Sequence, residues 1–155
     1  MKHWRYYERN IQELQRHAKV SAISLFKGLK QLESDEVKLL AERYYKSEDY
    51  TNYNESMGDY STANPISYKT IADKYNRSEK AIQEELKRIE RKLGVLIIEH
   101  HDLIEREEAK HSIERLEKNT LNELENYKER EIISKAFQQI KSLREKTDDD
   151  PLKSI

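Results

Sequence analysis

The chain contains no cysteine among its 155 residues. That absence excludes disulfide bonds, thiol nucleophiles and metal sites built from thiolates. Long apolar runs are also missing, and none approaches the roughly twenty consecutive apolar residues that a membrane-spanning helix needs. The first residues, MKHWRYYERN, are not followed by the apolar stretch of a secretory signal peptide. We therefore expect a cytoplasmic protein that does not enter a membrane.

Glycine and proline are scarce, with three and two residues respectively. Because these residues interrupt helices most strongly, their scarcity predicts long uninterrupted segments and an all-α fold. Hydrophobic residues make up 35% of the chain and charged residues 38%, and the mean hydropathy is −1.06. The core must therefore be thin, and much of the helical surface must face solvent or another protein chain.

Motifs that are typical of enzymes are absent. There is no glycine-rich phosphate loop and no nucleophile elbow. His100, His101 and His111 lie among acids, and His101 and Glu105 share a helical face at a spacing that is compatible with zinc. No third ligand accompanies them at a fixed spacing, so we interpret the segment as a solvated charged helix. The sequence thus predicts a protein that is not an enzyme and has no cofactor or bound metal.

Positive charge is concentrated in one segment, although the whole chain carries a net charge of −1. Residues 1–66 contain ten basic and ten acidic residues, whereas residues 67–93 contain eight basic and five acidic residues. Residues 94–155 contain eleven basic and fifteen acidic residues, a net charge of −4. Residues 67–93 are therefore the candidate segment for contact with nucleic acid.

Apolar spacing predicts two parts in the first two thirds of the chain. Residues 1–33 form an N-terminal helical arm, as one helix or as two with a break near residues 19–24. Residues 34–93 form a domain, and Ser34 is the expected N-cap of its first helix. Within this domain, residues 46–66 show no periodicity and are rich in Ser, Thr, Asn, Asp and Tyr, which predicts a long mobile loop.

The last third of the chain is charged, free of proline until Pro151 and helical in its spacing. Residues 94–146 are expected to form a C-terminal helical arm, either a coiled coil or a hairpin, followed by a flexible tail at 147–155. A narrow apolar stripe runs along the arm through Ile104, Ile113, Leu116, Leu124 and Ile133. A stripe that one thin-cored chain leaves uncovered predicts a homo-oligomer, a dimer or a higher species.

Residues 66–93, ISYKTIADKYNRSEKAIQEELKRIERKL, contain the pattern of a helix-turn-helix motif. That motif needs a capped first helix, a small residue where the helices cross, a tight turn and a second helix with an exposed polar face. Ser67, Ala72 and Asn76 meet the first three needs, with Ile71 and Tyr75 expected on the inner face. Ser78 caps the second helix, whose expected buried face consists of Ile82, Leu86, Ile89 and Leu93.

The segment SYKTIADKYNRSEKAIQEELKRIERKL resembles the helix-turn-helix of sigma-70 region 4, and LESDEVKLLAERYYK resembles the preceding helix of that region. The resemblance covers residues 32–93 apart from the longer loop. A domain of this type after an N-terminal helix is similar to the late-gene transcription regulators of the ArpU and RinA type in phages and prophages. The resemblance implies a transcription regulator that binds double-stranded DNA sequence-specifically, and it makes RNA polymerase a candidate partner.

The resemblance also implies roles for individual residues. The helix starting at Ser78 would read the major groove, and its base-facing positions are Ser78, Glu79, Lys80, Gln83 and Glu84. Positions near phosphates are Lys87, Arg88, Arg91 and Lys92, and Tyr68 and Lys69 on the first helix complete the DNA-binding set. Two features depart from the family pattern: Arg77 replaces an apolar residue in the turn, and three carboxylates occupy the leading half of the second helix, at Glu79, Glu84 and Glu85.

Two alternatives stay open at the level of sequence. A small terminase subunit would also join a helix-turn-helix to an oligomerising helical region, but it would form a ring and recognise packaging DNA. An interaction protein, such as an anti-repressor or a polymerase-binding adaptor, would use a degenerate helix-turn-helix on protein.

Overall fold

The computed structural model describes the backbone of residues 1–148 and the side chains of residues 1–142. The helices of this part of the chain are α1 (Trp4–Asn10), α2 (Arg16–Lys30), α3 (Ser34–Leu40), α4 (Tyr68–Tyr75) and α5 (Glu79–Asp148). A π-helical turn at Ala41–Tyr45 continues α3, and a hairpin of β1 (Tyr50–Asn54) and β2 (Asp59–Ala63) precedes α4. The described chain is mostly helical, as expected. None of its helices is long and apolar enough to cross a membrane.

The chain divides into two units, and the first comprises residues 1–106. Its core draws on the first two helices as well as on the helix-turn-helix, so the segment expected as a separate N-terminal arm belongs to this unit. The core is built around side chains of α1, α2, α3, α4 and α5, namely Trp4, Leu25, Leu29, Leu40, Ile71, Ile82, Leu86, Ile89 and Leu93. A smaller cluster of Tyr6, Leu14 and Ala22 lies beside α1 and α2.

The expected buried face of the second helix of the motif is confirmed. Ile82, Leu86 and Ile89 are fully buried, and Leu93 is 1% exposed. On α4 the expectation is only half right, because Ile71 is buried whereas Tyr75 is 40% exposed. The small Ala72 is only 3% exposed, which is consistent with a site of close helix contact.

Two expected helix boundaries are wrong. The break expected near residues 19–24 lies instead at residues 11–15. Helix α2 runs through 19–24, where Val20, Ala22 and Ser24 are buried and Ser24 Oγ donates to the Val20 carbonyl at 2.8 Å. At the start of α3 the N-cap is Glu33 rather than Ser34. Glu33 forms a capping box with Glu36, whose Oε2 accepts from the Glu33 backbone N–H at 3.1 Å.

Gly28 and Gly94 have different surroundings. A Cβ atom at Gly28 would lie 2.9 Å from Leu93 Cδ1, so the glycine allows α2 to approach α5 closely. Around Gly94 there is no neighbouring atom within 4 Å of a Cβ position, and α5 continues through this residue.

The prediction of an irregular loop at residues 46–66 is wrong, because a β-hairpin occupies most of it. Tyr53 pairs with Tyr60 across the two antiparallel strands, and Gly58 takes a φ of +62° in the connecting turn. The strands carry few apolar residues and gain hydrogen-bond partners from Lys2, just before α1, and from α1 itself. Ala63 N–H donates to the Lys2 carbonyl at 2.9 Å, and Asn10 Nδ2 donates to Asp59 at 3.2 Å.

The second unit begins at Glu107, and its described residues are helical throughout as the continuation of α5. A hairpin within residues 94–146, one of the two expected forms of the arm, is therefore wrong. Residues 147 and 148 of the expected flexible tail are the last residues of α5, and residues 149–155 lie outside the described residues.

We expect Leu86→Ala to lower the free energy of unfolding by about 2–5 kcal/mol, because it removes buried methyl groups and leaves a cavity. Leu86 is fully buried, whereas Leu103 on the same helix is 52% exposed, so Leu103→Ala is the matched control. Urea unfolding of the full chain, followed by circular dichroism, measures both changes. Equal loss of stability in the two variants would contradict the assignment of the core.

Candidate nucleic-acid interface

The turn between α4 and α5 joins two helices that are each capped by a serine. Thr70 N–H donates to Ser67 Oγ at 3.1 Å, which confirms Ser67 as the cap of α4. Asn76 ends that helix in the left-handed conformation, with φ 50° and ψ 47°. Ala81 N–H donates to Ser78 Oγ at 3.2 Å, so the hydroxyl expected to cap the second helix does so.

The face of α5 opposite its buried residues is charged and open to solvent. At about 100° per residue, Lys80, Glu84, Lys87 and Arg91 project away from the core side of the helix. All four are exposed, and the side chains of Lys80 and Glu84 are 85% and 68% accessible. Lys80 Nζ lies 4.0 Å from Glu84 Oε1. Such an exposed pair is weak, so both side chains stay available to a ligand.

Two cations of the predicted phosphate-contacting set are drawn toward α3. Arg88 Nη1 lies 3.1 Å from Glu36 Oε1, and Lys92 Nζ lies 2.8 Å from Glu36 Oε2. The hydrogen bond from Lys92 is the main reason that the pKa of the Glu36 carboxyl lies below its usual range, and the opposing effect of burial is outweighed. Both cations are still partly exposed, but their positions are set by this carboxylate.

A second buried carboxylate holds the other helix of the motif. Glu42 lies in the π-helical turn, and its oxygens accept from Lys46 and from Lys74 of α4, the latter at 2.7 Å. Burial is the largest influence on the pKa of Glu42 and raises it, yet the two lysines together outweigh burial and lower it. The same contact raises the pKa of Lys74. The α3 segment thus binds α4 through Glu42 and α5 through Glu36.

Tyr68, a predicted DNA contact, is turned toward the interior instead. The guanidinium carbon of Arg43 lies 3.8 Å from the centre of its ring, and Arg43 Nη1 donates to the Ile66 carbonyl at 2.6 Å. Beside it, Tyr44 donates to Glu90 Oε1 at 2.6 Å. Burial, with this hydrogen bond to a carboxylate, raises the pKa of Tyr44 to about 12.

The unusual turn residue Arg77 has a partner in the same motif. Its Nη1 atom lies 2.6 Å from Glu85 Oε2. The arginine in the turn thus neutralises one of the three acids at the start of α5, namely Glu79, Glu84 and Glu85. Gln83 is half-buried, so it has less freedom to reach a base edge than Lys80 or Glu84.

The predicted site residues thus fall into two groups. The exposed ones that the structure brings to open surface are Lys69, Ser78, Glu79, Lys80, Glu84, Lys87 and Arg91. Tyr68 and Gln83 are half-buried, whereas Arg88 and Lys92 are exposed but paired with Glu36. Sequence reasoning missed Glu36 and Glu42, although Glu36 lies four residues before the buried Leu40 and so shares its helical face.

The histidine-rich segment shows contacts without a metal cluster. His100 Nε2 lies 2.7 Å from Gln31 Nε2, and the rings of His17 and His101 are 6.4 Å apart. Within the residues that the structure describes, no group of three or more potential ligands is positioned to hold a metal ion.

Comparison of the chain with protein-family models, with curated proteins and with solved structures found no match. The resemblance of residues 32–93 to sigma-70 region 4 therefore stays an interpretation of the sequence.

We expect Glu36→Gln to lower the free energy of unfolding at pH 7 by about 1–3 kcal/mol, because it removes charge-assisted hydrogen bonds to two cations. The pKa of Glu36 is lower in the folded protein than in the unfolded chain, where it is about 4.3. The ionised carboxylate therefore stabilises the fold above that pH, and this stabilisation is lost as the pH falls through the lower pKa of the folded state. The difference between parent and variant should therefore shrink below pH 4. Chemical unfolding at pH 7 and pH 3.5 measures it.

The matched control for this prediction is Asp35→Asn. Its carboxylate, one residue before Glu36, is 93% accessible and pairs only with the exposed Lys38 within the part of the chain described. We expect almost no change of stability at either pH. A loss as large as that of Glu36→Gln would show that position 36 has no special role.

Proposed function

We propose that the protein is a sequence-specific DNA-binding transcription regulator of the phage or prophage type, which reads the major groove with the start of α5. The observation that supports this most strongly is the division of α5 into a fully buried face and an exposed charged face, directly after a capped α4 and a left-handed turn. A major groove admits one α-helix, whose outward side chains then meet base edges and phosphates. RNA polymerase is a candidate partner of such a regulator.

The cations and the acid on the exposed face of α5 have different roles in this proposal. Lys80, Lys87 and Arg91 supply the attraction to phosphates that dominates affinity. Glu84 opposes phosphates but can accept a hydrogen bond from the amino group of cytosine. We infer that Glu84 lowers the affinity for DNA in general and raises the selectivity for particular base sequences.

The proposal includes self-association through the C-terminal part of α5, as the apolar stripe of that segment suggests. A regulator that carries one recognition helix per copy gains specificity when two copies bind two half-sites.

The triple change of Lys80, Lys87 and Arg91 to alanine should weaken binding to all DNA sequences. It should also reduce the slope of log affinity against log salt by up to about 0.9 for each lost phosphate contact, because fewer counterions are released. Fluorescence anisotropy on labelled duplexes at several salt concentrations measures both quantities. The control removes three cations of the second unit, Lys110, Arg115 and Lys118, and should leave the slope unchanged. An unchanged slope in the first variant would refute the assignment.

Glu84→Gln should raise affinity for non-specific DNA and relax the preference at one base-pair position by about 1–3 kcal/mol of discrimination. The reason is that glutamine removes the repulsion of phosphates together with the charged acceptor for cytosine. Selection of bound sequences from a random pool, performed for parent and variant, measures the change. Glu99→Gln, an exposed acid further along α5, is the control. Identical sequence preferences in parent and Glu84→Gln would show that Glu84 does not read a base.

A further inference from the structure

The described part of the second unit leaves its apolar side chains uncovered. All described side chains from residue 109 to residue 142 are exposed. Large apolar side chains at least half exposed there are Ile113, Leu116, Leu121, Leu124, Tyr127, Ile132, Ile133, Phe137 and Ile140. In proteins, most of the stability of a helix comes from packing its apolar face. This segment therefore needs a partner.

Most of the uncovered side chains form two stripes rather than one, and Leu121 and Ile132 lie outside both. Ile113, Leu116, Thr120, Leu124 and Tyr127 follow each other at steps of three and four residues and define stripe 1. Ile133, Phe137 and Ile140 do the same and define stripe 2. The spacing is interrupted over residues 128–131, and at about 100° per residue the interruption places the centres of the two stripes about 130° apart around the helix.

The two stripes also differ in the charge around them. Residues 107–127 carry six carboxylates and three cations, a net charge of −3. Residues 128–142 carry four cations and two carboxylates, a net charge of +2. Like segments would repel each other, whereas unlike segments attract, most strongly at low salt.

We propose that stripe 1 of one copy packs against stripe 2 of a second copy, so that the chains associate head to tail. This inference rests on the proposed self-association but not on DNA binding. The two stripes of one copy cannot meet each other, because they lie one after the other along one continuous helix and point in different directions. The occupant of each stripe is therefore the oppositely charged segment of another copy.

The arrangement has a consequence for assembly. A symmetric dimer that used both stripes would need them to face the same neighbour, and they face away from each other. Stripe 1 of each copy then binds one neighbour, and stripe 2 binds another. Such a heterologous contact continues until it closes as a ring or extends as a filament.

Two variants of the full chain test the proposal by complementation, with no DNA present. The first carries Leu116→Glu and Leu124→Glu, which spoil stripe 1 and leave stripe 2 intact. The second carries Ile133→Lys and Ile140→Lys, which spoil stripe 2 and leave stripe 1 intact. Analytical ultracentrifugation measures the mass of the parent, of each variant alone and of their equimolar mixture.

We expect the parent to exceed the mass of a dimer, and each variant alone to be monomeric. The mixture should form a complex of two chains and nothing larger, because only one productive contact is left. A parent that stops at a dimer or stays monomeric at micromolar concentration would overturn the proposal. So would a variant that dimerises alone, or a mixture that stays monomeric.

Two controls keep the result interpretable. Asn119→Glu with Asn122→Glu adds the same charge to exposed positions outside both stripes, and it should associate as the parent does. Alanine in place of Leu116 and Leu124 keeps helix propensity, so a loss of association with unchanged circular dichroism cannot come from unfolding. Failure of DNA binding would leave all of these masses as expected, so the two proposals fail separately.

Discussion

The Glu36 carboxylate connects the helices of the first unit more than any other polar group described. It lies almost buried on α3, closes the capping box with Glu33, and binds Arg88 and Lys92 of α5. A charge removed from water is costly unless its partners replace the lost hydration. Three donors do so here, and the direction of the shift in its pKa indicates that they succeed. The orientation of α5 relative to α3 depends on this arrangement.

Glu42 plays the corresponding role for α4, because it accepts from Lys74. Through the two glutamates, α3 and the turn that continues it contact both α4 and α5. Apolar contacts of Leu40, Ile71 and Leu86 supply the core, but such contacts are non-directional and tolerate sliding. Ion pairs with defined geometry limit that freedom. The same contacts also determine which cations are left for a ligand, because Arg88 and Lys92 are bound on one side while Lys87 and Arg91 are not held by α3.

The two units follow different physical rules. In the first, a thin core is closed by five helices and a polar hairpin whose strands depend on α1 for hydrogen bonds. In the second, a single described helix presents apolar residues on two sides and opposite net charge in its two halves. The described part of this segment has no buried core of its own. The low mean hydropathy of the whole protein reflects this division.

Local sequence determined the parts of the structure that depend on neighbouring residues. The caps at Ser67 and Ser78, the left-handed Asn76 and the buried face of α5 all follow from spacing and side-chain type within one or two turns. Tertiary contacts decided the rest. The hairpin at residues 50–63 lacks an apolar alternation and forms against α1, and the second partners of the Glu36 carboxylate come from α5. The orientations of Tyr68 and Arg88 depend on partners that are distant in sequence, Arg43 and Glu36 respectively. The sequence near each residue does not reveal those partners.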